Sequence, residues 1–313
     1  MKITVLDAKT LGNDIELSIF GEDLTVYGTT SPEETAAHVA DSEAVIVNKV
    51  RLDRSNLENA ANLRLICIAA TGYDNIDIEY CKSRNIAVCN VCGYSTQSVA
   101  QLTVALALSL TIHLNEYCEY VRSGGYTAGG VANKLEPVYS EVFGKTWGIA
   151  GLGNIGKQVA KTAEAMGCKV LAFKRTPDEN YNCVPLEELM EKSDIISVHL
   201  PASAETVGII SKEMIAKMKK NAILINVARG AVVDEEALCD AIIGKKIAGI
   251  GIDVYTKEPF DENHCFNRIK DYPNVLLTPH IAWGAYESRR RCAEEIRMNI
   301  ESFEKGEKRN RVV

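Results

Sequence analysis

The stretch KTWGIAGLGNIGKQVAKTAEAMGCKVLAFKR, residues 145–175, decides the fold of this chain. Its apolar run at Trp147–Ala150 predicts a buried strand, and Lys169–Phe173 predicts a second strand after a helical pattern that stops at Gly167. A strand, a glycine-rich turn, a helix and a second strand within about thirty residues are typical of a βαβ unit that binds a dinucleotide.

The turn reads Gly151-Leu152-Gly153-Asn154-Ile155-Gly156, which fits the pattern G-x-G-x-x-G. In such a turn the first glycine makes the tight bend, the second lets the backbone approach a pyrophosphate, and the third lets the helix pack on the strand. The helix N-terminus adds N–H groups and a partial positive charge for the phosphates. The competing interpretation is an ordinary glycine-rich turn, but the flanking strand and helix favour a dinucleotide site.

The end of the second strand bears on the choice of cofactor. A fold that prefers NAD usually carries Asp or Glu about 20 residues after the glycines, bonded to the ribose 2′-OH. Here the matching place is Phe173-Lys174-Arg175-Thr176, and the first carboxylate is Asp178. Two cations and a hydroxyl suit a 2′-phosphate, which Arg can hold through two parallel hydrogen bonds. The sequence therefore favours NADP(H); the alternative is a solvated Lys–Arg pair in a protein that still binds NAD(H).

Length and composition narrow the class of protein. A chain of 313 residues is long enough for two domains, and its net charge of −7 argues against a nucleic-acid surface. The N-terminus shows no secretion signal, and the longest apolar stretch, Val99–Leu114, is interrupted by polar residues and too short to span a bilayer. We therefore expect a cytoplasmic protein with neither a membrane partner nor a nucleic-acid partner.

The chain has ten cysteines, which without a secretion signal we expect to be reduced. Cys89 and Cys92 form a lone C-x-x-C pair. A zinc site needs two further ligands at a suitable spacing, and none is evident nearby. The sequence predicts no metal site.

Residues 1–98 alternate short strand-like runs with helical stretches, which predicts a parallel sheet covered on both faces. The loop ATGYDNID at 70–77 follows one of these strands, where an open parallel sheet binds its ligands. It is a candidate for meeting a substrate anion with backbone N–H groups, or else a plain turn. A long helix that starts near Ser95 and ends before Gly124 carries small and apolar residues suited to an interface between domains or subunits, and an irregular stretch is predicted after it, up to Phe143. A charged amphipathic helix is predicted at about 286–304.

Three strand ends in the second half each carry one charged or titratable residue: Arg229, Glu258 and His280. The carboxyl ends of neighbouring parallel strands share one edge, so these side chains can converge on a nicotinamide. His is the natural proton donor when a hydride adds to a ketone, a neighbouring Glu favours its charged form, and Arg binds a carboxylate. Singly each residue could be structural, but together, after a dinucleotide motif, they predict a dehydrogenase. His199 also ends a strand, and we expect it to support the cofactor site or the fold.

At this point the sequence resembles a known family, the NAD(P)-dependent D-2-hydroxyacid dehydrogenases. Six blocks look like its signatures: ATGYDNID at 70–77, GYSTQSVAQLT at 93–103, GLGNIG at 151–156, NVARGAVVDEEAL at 226–238, GIDVYTKEP at 251–259 and TPHIAW at 278–283. The resemblance implies an α/β fold of two Rossmann-like, doubly wound parallel-sheet domains with a cleft between them. It implies a flavodoxin-like substrate-binding domain at 1–98 plus 286–313, a dinucleotide-binding Rossmann domain at 99–285, and a homodimer.

The resemblance also implies roles for individual residues. Arg229, Glu258 and His280 match the family's catalytic three. Arg229 is also expected to bind the substrate carboxylate, together with a backbone loop that corresponds to Gly72 and Tyr73.

Further positions match the family's cofactor site and substrate pocket. Asp253 corresponds to the partner of the nicotinamide amide, and Trp283 is expected to shape the pocket for the substrate. The other implied cofactor contacts are Thr103, Gly151, Gly153, Asn154, Ile155, Gly156, Lys174, Arg175, Thr176, Pro201, Thr206, Val227 and Ala228.

Two departures from the family pattern bear on substrate and cofactor. Many members have an acidic residue where this chain has Gln101, and many have Asp where Lys174 stands. Gln101 and the sequence HIAWGAYESRRR at 280–291 look more like the glycerate dehydrogenase/hydroxypyruvate reductase branch than the lactate branch.

The sequence thus predicts an NAD(P)-dependent oxidoreductase that acts on the CH–OH group of D-2-hydroxyacids and reduces a 2-ketoacid such as hydroxypyruvate or glyoxylate. One alternative is a D-lactate or D-3-phosphoglycerate dehydrogenase of the same family, and Lys49 and Arg51 leave a phosphate site open. An alternative of another class is a dinucleotide-sensing, corepressor-like binding protein. Formate dehydrogenase fits less well, because formate has no group that needs the His–Glu pair.

Overall fold

The computed structural model describes all 313 residues, Met1–Val313, and the chain folds into two compact units. Unit 1 comprises Met1–Ser95 and Gly284–Val313, and unit 2 comprises Thr96–Trp283. The boundaries predicted from the sequence, 98/99 and 285/286, lie slightly later in the chain. The first boundary differs because a long helix starts at Thr96 and packs against the sheet of unit 2.

Unit 1 is built on five parallel strands in the order β2-β1-β3-β4-β5. The strands are β1 (Ile3–Val5), β2 (Leu24–Val26), β3 (Ala44–Val47), β4 (Leu65–Ile68) and β5 (Ala87–Cys89). The apolar runs AVIV of β3 and LICI of β4 are completely buried, as expected of central strands in a parallel sheet. The order is that of flavodoxin-type sheets, and it reverses between β1 and β3.

The helices of unit 1 pack around this sheet: α1 (Pro32–Val39), α2 (Arg54–Leu57), α3 (Ile78–Ser83) and α11 (Tyr286–Glu304), with 3-10 turns at Ala8–Leu11 and Leu17–Phe20. Helix α11 occupies the range predicted from its charged amphipathic pattern, and its buried stripe includes Ile296 and Ile300. After α11 the chain pairs antiparallel with β5, where Val312 N donates to Val88 O at 2.8 Å. This pairing was not predicted from the sequence.

Unit 2 is built on six parallel strands in the order β11-β10-β9-β8-β6-β7. They are β6 (Thr146–Ala150), β7 (Lys169–Phe173), β8 (Ile195–Val198), β9 (Ile223–Asn226), β10 (Gly249–Ile252) and β11 (Val275–Leu277). The order reverses between β6 and β8, and in open parallel sheets ligands bind outside the carboxyl ends of the strands at such a point.

The helices of unit 2 are α4 (Thr96–Thr111), α5 (Leu114–Arg122), α6 (Gly125–Gly129), α7 (Asn154–Ala165), α8 (Leu186–Lys192), α9 (Lys212–Ala216) and α10 (Glu235–Ile243), with 3-10 turns at Gly230–Val232 and Cys265–Arg268. The sequence predicted a single helix up to Gly124, which is wrong. The helix breaks at His113, whose φ of +55° is left-handed, and α5 starts at the next residue. The stretch predicted to be irregular after Gly124 also contains α6.

Alternation along the strands divides the core of unit 2 into two clusters. In β9, Leu224 belongs to one cluster and Ile225 to the other, so both faces of the sheet are buried. Asp234 caps α10, accepting a hydrogen bond from Ala237 N at 2.9 Å. No single helix has the length and apolarity for a membrane crossing; α4 and α5 meet those criteria only as a pair, and they are bent by 66°.

Candidate active site

The glycine turn lies at the carboxyl end of β6, where the strand order of unit 2 reverses. Gly151 has a φ of +106°, and an added Cβ would lie 2.7 Å from the carbonyl carbon and oxygen of His199. A Cβ at Gly156 would lie 2.2 Å from Gly151 O, whereas a Cβ at Gly153 would meet no protein atom within 4 Å. The protein itself therefore needs Gly151 and Gly156, and Gly153 faces open space that a ligand can approach.

Helix α7 starts directly after Gly153, with Asn154 exposed and Ile155 half-buried beside the turn. The first N–H groups of an α-helix have no partner within the helix, and they carry a partial positive charge. The open space at Gly153 and this helix end fit the pyrophosphate of a dinucleotide.

The predicted phosphate segment Lys174–Thr176 follows β7, and its acidic neighbour Asp178 already has a partner. Asp178 Oδ2 lies 2.7 Å from Lys157 Nζ on α7 and 4.0 Å from Lys174 Nζ. The hydrogen bond from Lys157, with further bonds from Asn180, lowers the pKa of Asp178 to about 2. Asp178 is therefore ionised and engaged by a lysine, and the assignment of Lys174–Thr176 to a 2′-phosphate stays a prediction.

Arg229 follows β9 on a loop that is held by its own backbone. The side chain of Asn226 accepts from Ala228 N at 3.1 Å and donates to Arg229 O at 3.0 Å. The half-buried Arg229 donates from its guanidinium to Ala228 O at 2.8 Å. A Cβ at Gly230 would lie 2.0 Å from the carbonyl carbon of Tyr255, so this loop touches the loop after β10.

Asp253, the residue after β10, is fully buried and organises the loop after β11. Its carboxylate accepts from Thr278 Oγ1 at 2.6 Å and from Ile281 N and Ala282 N at 2.9 Å each. Burial raises the pKa of Asp253, and these hydrogen bonds act against the rise. Because the donors flank position 280, Asp253 fixes the backbone that carries His280. Its implied contact with the nicotinamide amide stays a prediction.

His280 and Glu258 form a direct pair, with 2.6 Å between His280 Nδ1 and Glu258 Oε2. The other carboxylate oxygen of Glu258 accepts from Tyr255 N at 3.0 Å. A carboxylate against Nδ1 fixes a proton on that nitrogen, stabilises the imidazolium and leaves Nε2 for another partner. His280 has a left-handed φ of +52°, a conformation that persists where the surroundings impose it, as the bonds to Asp253 do here.

The structure brings the three predicted catalytic residues to one edge of one sheet. Arg229, Glu258 and His280 follow β9, β10 and β11, which are adjacent strands of unit 2. His280 and Glu258 are in contact, and the loops that carry Arg229 and Glu258 touch. The arrangement can hold a carboxylate and deliver a proton at the same edge that bears the glycine turn.

Other predicted residues of unit 2 lie both at this edge and below it. Thr206 donates its hydroxyl to Pro201 O at 2.5 Å and so folds the loop after β8. Val227 and Ala228 follow β9 at the edge. Thr103 is completely buried in α4, and its hydroxyl donates to Val99 O at 2.7 Å. The cofactor contacts implied for these residues stay predictions.

Two predicted positions need separate mention. Gly72 and Tyr73 lie in unit 1, in the loop after β4, and Tyr73 is 41% exposed. Asn75 ties this loop to Val50 O through a hydrogen bond of 2.8 Å. Trp283 is half-buried against a core cluster of unit 2. The substrate contacts implied for Gly72, Tyr73 and Trp283 stay predictions.

Sequence reasoning missed two residues that support the site. Asn226 fixes the Arg229 loop, and its place as the last residue of a strand was a usable signal, because Asn side chains often bond nearby backbone groups. Ser197 bonds His199 Nε2 at 3.0 Å. Strand alternation places residues 197 and 199 on one face, but nothing in the sequence shows that they are paired.

One group of potential metal ligands lies away from this edge. The ligand atoms of Glu235, His264 and Cys265 lie within 4.8 Å of one another. His264 Nε2 is 3.2 Å from Glu235 Oε2, and His264 Nδ1 accepts from Phe266 N at 3.3 Å. Both ring nitrogens are engaged by the protein, as in a structural cap of the 3-10 turn.

Residues 104–282 match the family model described as "D-isomer specific 2-hydroxyacid dehydrogenase, NAD binding domain". The chain belongs to the D-2-hydroxyacid dehydrogenase family. The matched range covers more than half of the chain and includes the glycine turn, Arg229, Glu258 and His280. The family membership predicted from the six sequence blocks is confirmed.

Other D-2-hydroxyacid dehydrogenases and related reductases match over the full length. A hydroxypyruvate reductase of Blautia hydrogenotrophica is 37% identical over 318 residues, which cover 98% of each chain. A glycerate dehydrogenase of Methylorubrum extorquens is 35% identical over 311 residues, which cover 99% of this chain and 98% of the relative. A solved acyclic imino acid reductase in complex with NADPH and D-Arg has a TM-score of 0.89 and 30% identity, with 100% of both chains covered.

As a D-2-hydroxyacid dehydrogenase, the protein is an NAD(P)-dependent oxidoreductase that acts on the CH–OH group of a small hydroxyacid. Its cofactor is a nicotinamide dinucleotide. The predicted fold class, two α/β units with parallel sheets, is confirmed by the strand orders and by the solved neighbours.

Proposed function

We propose that this dehydrogenase reduces hydroxypyruvate or glyoxylate to the 2-hydroxyacid, with NADPH as the preferred cofactor. The observation that carries the proposal is the hydrogen bond between His280 and Glu258, at the sheet edge that also bears the glycine turn. The substrate class is supported by Gln101 and by full-length similarity to relatives named hydroxypyruvate reductase and glycerate dehydrogenase.

His280 is the proposed proton donor. The nicotinamide, when bound, supplies the hydride that adds to C2 of the ketoacid. The imidazolium of His280 donates its Nε2 proton to the carbonyl oxygen as negative charge develops there. Glu258, 2.6 Å from Nδ1, stabilises the imidazolium and holds the ring in place. In the oxidative direction neutral His280 accepts the proton of the substrate hydroxyl.

Arg229 is the proposed partner of the substrate carboxylate. Its planar guanidinium can form two parallel hydrogen bonds to a carboxylate, and its charge also polarises the neighbouring carbonyl. The backbone around Arg229 is fixed by Asn226 and by the contact of Gly230 with the Tyr255 loop. Gly72 and Tyr73 are proposed as further backbone donors to the carboxylate, and Trp283 is proposed to limit the size of the substrate.

The activity test compares initial rates with hydroxypyruvate, glyoxylate, pyruvate and phosphohydroxypyruvate, each with NADPH and with NADH. We expect the highest kcat/KM for hydroxypyruvate or glyoxylate. A preference for pyruvate or phosphohydroxypyruvate would instead assign a D-lactate or D-3-phosphoglycerate dehydrogenase. No turnover with any of them would contradict the reductase and favour a dinucleotide-sensing binding protein.

The preference for NADPH is proposed from the segment after β7. Lys174, Arg175 and Thr176 stand where NAD-dependent folds carry a carboxylate for the ribose 2′-OH. The similar imino acid reductase is a complex with NADPH, which agrees with this assignment. The carboxylate of Asp178 forms its close ion pair with Lys157, at 2.7 Å, whereas Lys174 Nζ lies 4.0 Å away and makes the weaker contact.

The cofactor test is Lys174→Asp, which puts a carboxylate at the place that binds the 2′-OH in NAD-dependent folds. We expect the ratio of kcat/KM for NADPH to that for NADH to fall at least about tenfold, because like charges repel across the phosphate site. Lys220→Asp makes the same change in charge at an exposed position of unit 2 and should leave the ratio unchanged. An unchanged ratio in Lys174→Asp would contradict the phosphate site.

We also propose that the protein is a homodimer that pairs through residues 114–143. Eight of the fifteen exposed large hydrophobic residues lie in this segment, and Leu135, Val138 and Phe143 are 73%, 81% and 75% exposed. The segment also lines a groove of about 630 Å³ that includes Tyr117, Tyr120 and Lys134. Apolar exposure of this density is typical of a protein interface.

The dimer test is sedimentation of Val138→Asp. We expect monomers, since a buried charge without a partner opposes association. Val207→Asp, at an exposed apolar residue outside the segment, is the control and should remain dimeric. Val138→Asp that stays dimeric would exclude this segment as the interface.

A cytoplasmic location is proposed from the cysteines. All ten are free, and seven of them are buried. Free thiols in this number suit a reducing compartment. Activity confined to the membrane or to the extracellular fraction of cells would contradict this location.

A further inference from the structure

Tyr255 lies in the loop after β10, and it also contacts the loops after β9 and β11. These three loops carry the predicted catalytic residues Arg229, Glu258 and His280. The residue is half-buried at the sheet edge where the loops meet. Its position raises the question of what its contacts do for the three side chains.

The backbone of Tyr255 contacts the first two of these loops. Its N–H donates to Glu258 Oε1 at 3.0 Å, and the other oxygen of that carboxylate lies 2.6 Å from His280 Nδ1. Its carbonyl carbon lies only 2.0 Å from where a Cβ of Gly230 would be, and Gly230 follows Arg229. These contacts orient the carboxylate of Glu258 and hold its loop beside the loop of Arg229.

The hydroxyl group of Tyr255 reaches the third loop. It donates to Thr278 O at 2.8 Å, and the same carbonyl oxygen accepts from His280 N at 3.0 Å. A carbonyl oxygen has two lone pairs and can accept both bonds. One oxygen atom thus joins the side chain of Tyr255 to the backbone of His280.

The surroundings of Tyr255 keep this hydroxyl in place and protonated. Phe260 and Phe266 pack edge-on against the ring, with centroids 4.8 and 5.9 Å from its centroid. Burial raises the pKa of the Tyr255 hydroxyl, and nearby carboxylates raise it further. The hydroxyl is therefore a neutral hydrogen-bond donor at physiological pH.

We propose that Tyr255 is a positioning residue for proton transfer, whose N–H and hydroxyl together set the geometry between Glu258 and His280. The N–H fixes the carboxylate, and the hydroxyl fixes the backbone that carries the imidazole. Such control matters because a misplacement of about 1 Å at reacting groups can cost about 10² in rate. The inference rests on the proposed role of His280 as proton donor, and it holds whichever ketoacid is the substrate.

The kinetic test is Tyr255→Phe, which keeps the ring and removes only the hydroxyl. Thr278 O keeps its bond from His280 N, so no buried acceptor is left unpaired and we expect the variant to fold. We expect kcat to fall about fivefold, the effect of one hydrogen bond, with KM for the ketoacid and the dissociation constant for the dinucleotide within about twofold of wild type.

Tyr272→Phe is the matched control, because it removes a hydroxyl from a tyrosine that is 40% exposed, shortly before β11. This variant should keep the kcat of wild type. A kcat within about 1.5-fold of wild type in Tyr255→Phe would overturn the proposal. A KM that changes as much as kcat would overturn it too.

NMR of ¹⁵N-labelled histidine tests the pair without turnover, and His280→Asn identifies the signals of His280. At about pH 9, where free imidazole is neutral, the carboxylate of Glu258 keeps the proton on Nδ1, so wild type should show a protonated Nδ1 and an unprotonated Nε2. In Tyr255→Phe we expect the two ¹⁵N shifts to move towards each other, because a weaker pair lets the proton occupy both nitrogens. A lower melting temperature with unchanged shifts would assign Tyr255 to the fold alone and overturn the proposal.

His280→Asn separates failure of this proposal from failure of the proposed function. The assays use the ketoacid and the dinucleotide with the highest wild-type kcat/KM, so a wrong substrate assignment leaves them intact. Loss of turnover in His280→Asn, with wild-type turnover and shifts in Tyr255→Phe, would overturn the role of Tyr255 alone. Unchanged turnover in His280→Asn would instead overturn the proton donor, and the role of Tyr255 with it.

Discussion

The two sheets each reverse their strand order once, and the two reversal points are filled differently. In unit 1, between β1 and β3, the buried Asp7 carboxylate accepts from Asn48 N at 3.0 Å, Lys49 N at 2.6 Å and Val50 N at 3.2 Å. In unit 2, between β6 and β8, the glycine turn faces open space at Gly153. The two sheets thus share the same kind of reversal point, but a carboxylate of the protein occupies it in unit 1, whereas the space is open to a ligand in unit 2.

The comparison shows that topology alone does not make a binding site. A reversal point offers backbone N–H groups at one edge of the sheet, and an anion can satisfy them. Asp7 is that anion in unit 1, although burial raises its pKa against the effect of these hydrogen bonds. In unit 2 we propose that the corresponding anion is the pyrophosphate of the cofactor. Each region leaves one buried side-chain nitrogen unpaired, Asn48 Nδ2 and His199 Nδ1, but only His199 abuts a glycine turn.

The largest effect is expected at the proton donor of unit 2. We choose His280→Asn because Asn tolerates the left-handed φ of +52° at this position and cannot exchange a proton near neutral pH. We expect kcat to fall by about 10² to 10⁴, the usual contribution of a general acid, with the dissociation constant for NADPH unchanged within about twofold. Stopped-flow rates and calorimetry measure the two quantities. A kcat within about fivefold of wild type would remove His280 from the chemistry.

Gly156→Ala should distort the glycine turn at the open reversal point of unit 2, because the added methyl group clashes with the protein's own backbone. Its Cβ would lie 2.2 Å from Gly151 O, a backbone atom that cannot move without distorting the turn. We expect the free energy of unfolding to fall by about 3 kcal/mol and the affinity for NADPH to fall with it. Urea denaturation of Gly156→Ala beside Gly153→Ala, which has room for a Cβ, measures this cost. Equal stability of the two variants would contradict the close contact between residues 151 and 156.

Asp7→Asn tests the closed reversal point of unit 1. An amide offers one acceptor oxygen in place of a carboxylate, so buried backbone N–H groups at 48–50 lose partners. We expect the free energy of unfolding to fall by about 2 kcal/mol. The dissociation constant for NADPH should not change. Asp41→Asn, whose side chain is 86% exposed, is the matched control and should leave both quantities unchanged. An affinity for NADPH that falls as far as the stability would place a cofactor contact in unit 1.

The smallest effect is a pH dependence of opposite sign in the two units. Burial lowers the pKa of His199 to about 3 in the folded protein, below its ordinary value of 6.5. As the pH falls below 6.5, the imidazole is therefore protonated in the unfolded chain but not in the folded protein, and the free energy of unfolding decreases. Between pH 7.5 and 5.5 the free energy of unfolding of wild type should fall by about 1 kcal/mol more than that of His199→Asn. Asp7, with its raised pKa, contributes most at low pH and less as the pH rises through that value. Identical pH profiles of wild type and His199→Asn in urea titrations would contradict the buried neutral imidazole.

Much of the site at the carboxyl edge of the sheet in unit 2 could be predicted, because the sequence patterns that indicate it are local. The glycine spacing at 151–156 is set by contacts within one turn, and α11 at 286–304 follows from a periodic pattern. Arg229, Glu258 and His280 were found because each follows an apolar run, and parallel strands end at one edge.

The features that the sequence did not predict depend on contacts between distant segments. The sequence did not predict that the carboxylate of Asp253 holds the loop 278–282, which lies about 25 residues further along the chain. The break at His113 depends on a left-handed residue that is neither Gly nor Asn. The pairing of the chain end with β5 joins segments more than 200 residues apart, and no periodicity records it.

The most direct test of the central claim is the dissociation constant of Gly153→Ala for NADPH, or for NADH if wild type binds NADH more tightly. No protein atom lies within 4 Å of the added Cβ, so the melting temperature should match that of wild type. If the dinucleotide occupies the open reversal point of unit 2, the methyl group meets the pyrophosphate, and we expect the affinity to fall at least about tenfold. Wild-type affinity at an unchanged melting temperature would show that the cofactor does not bind there.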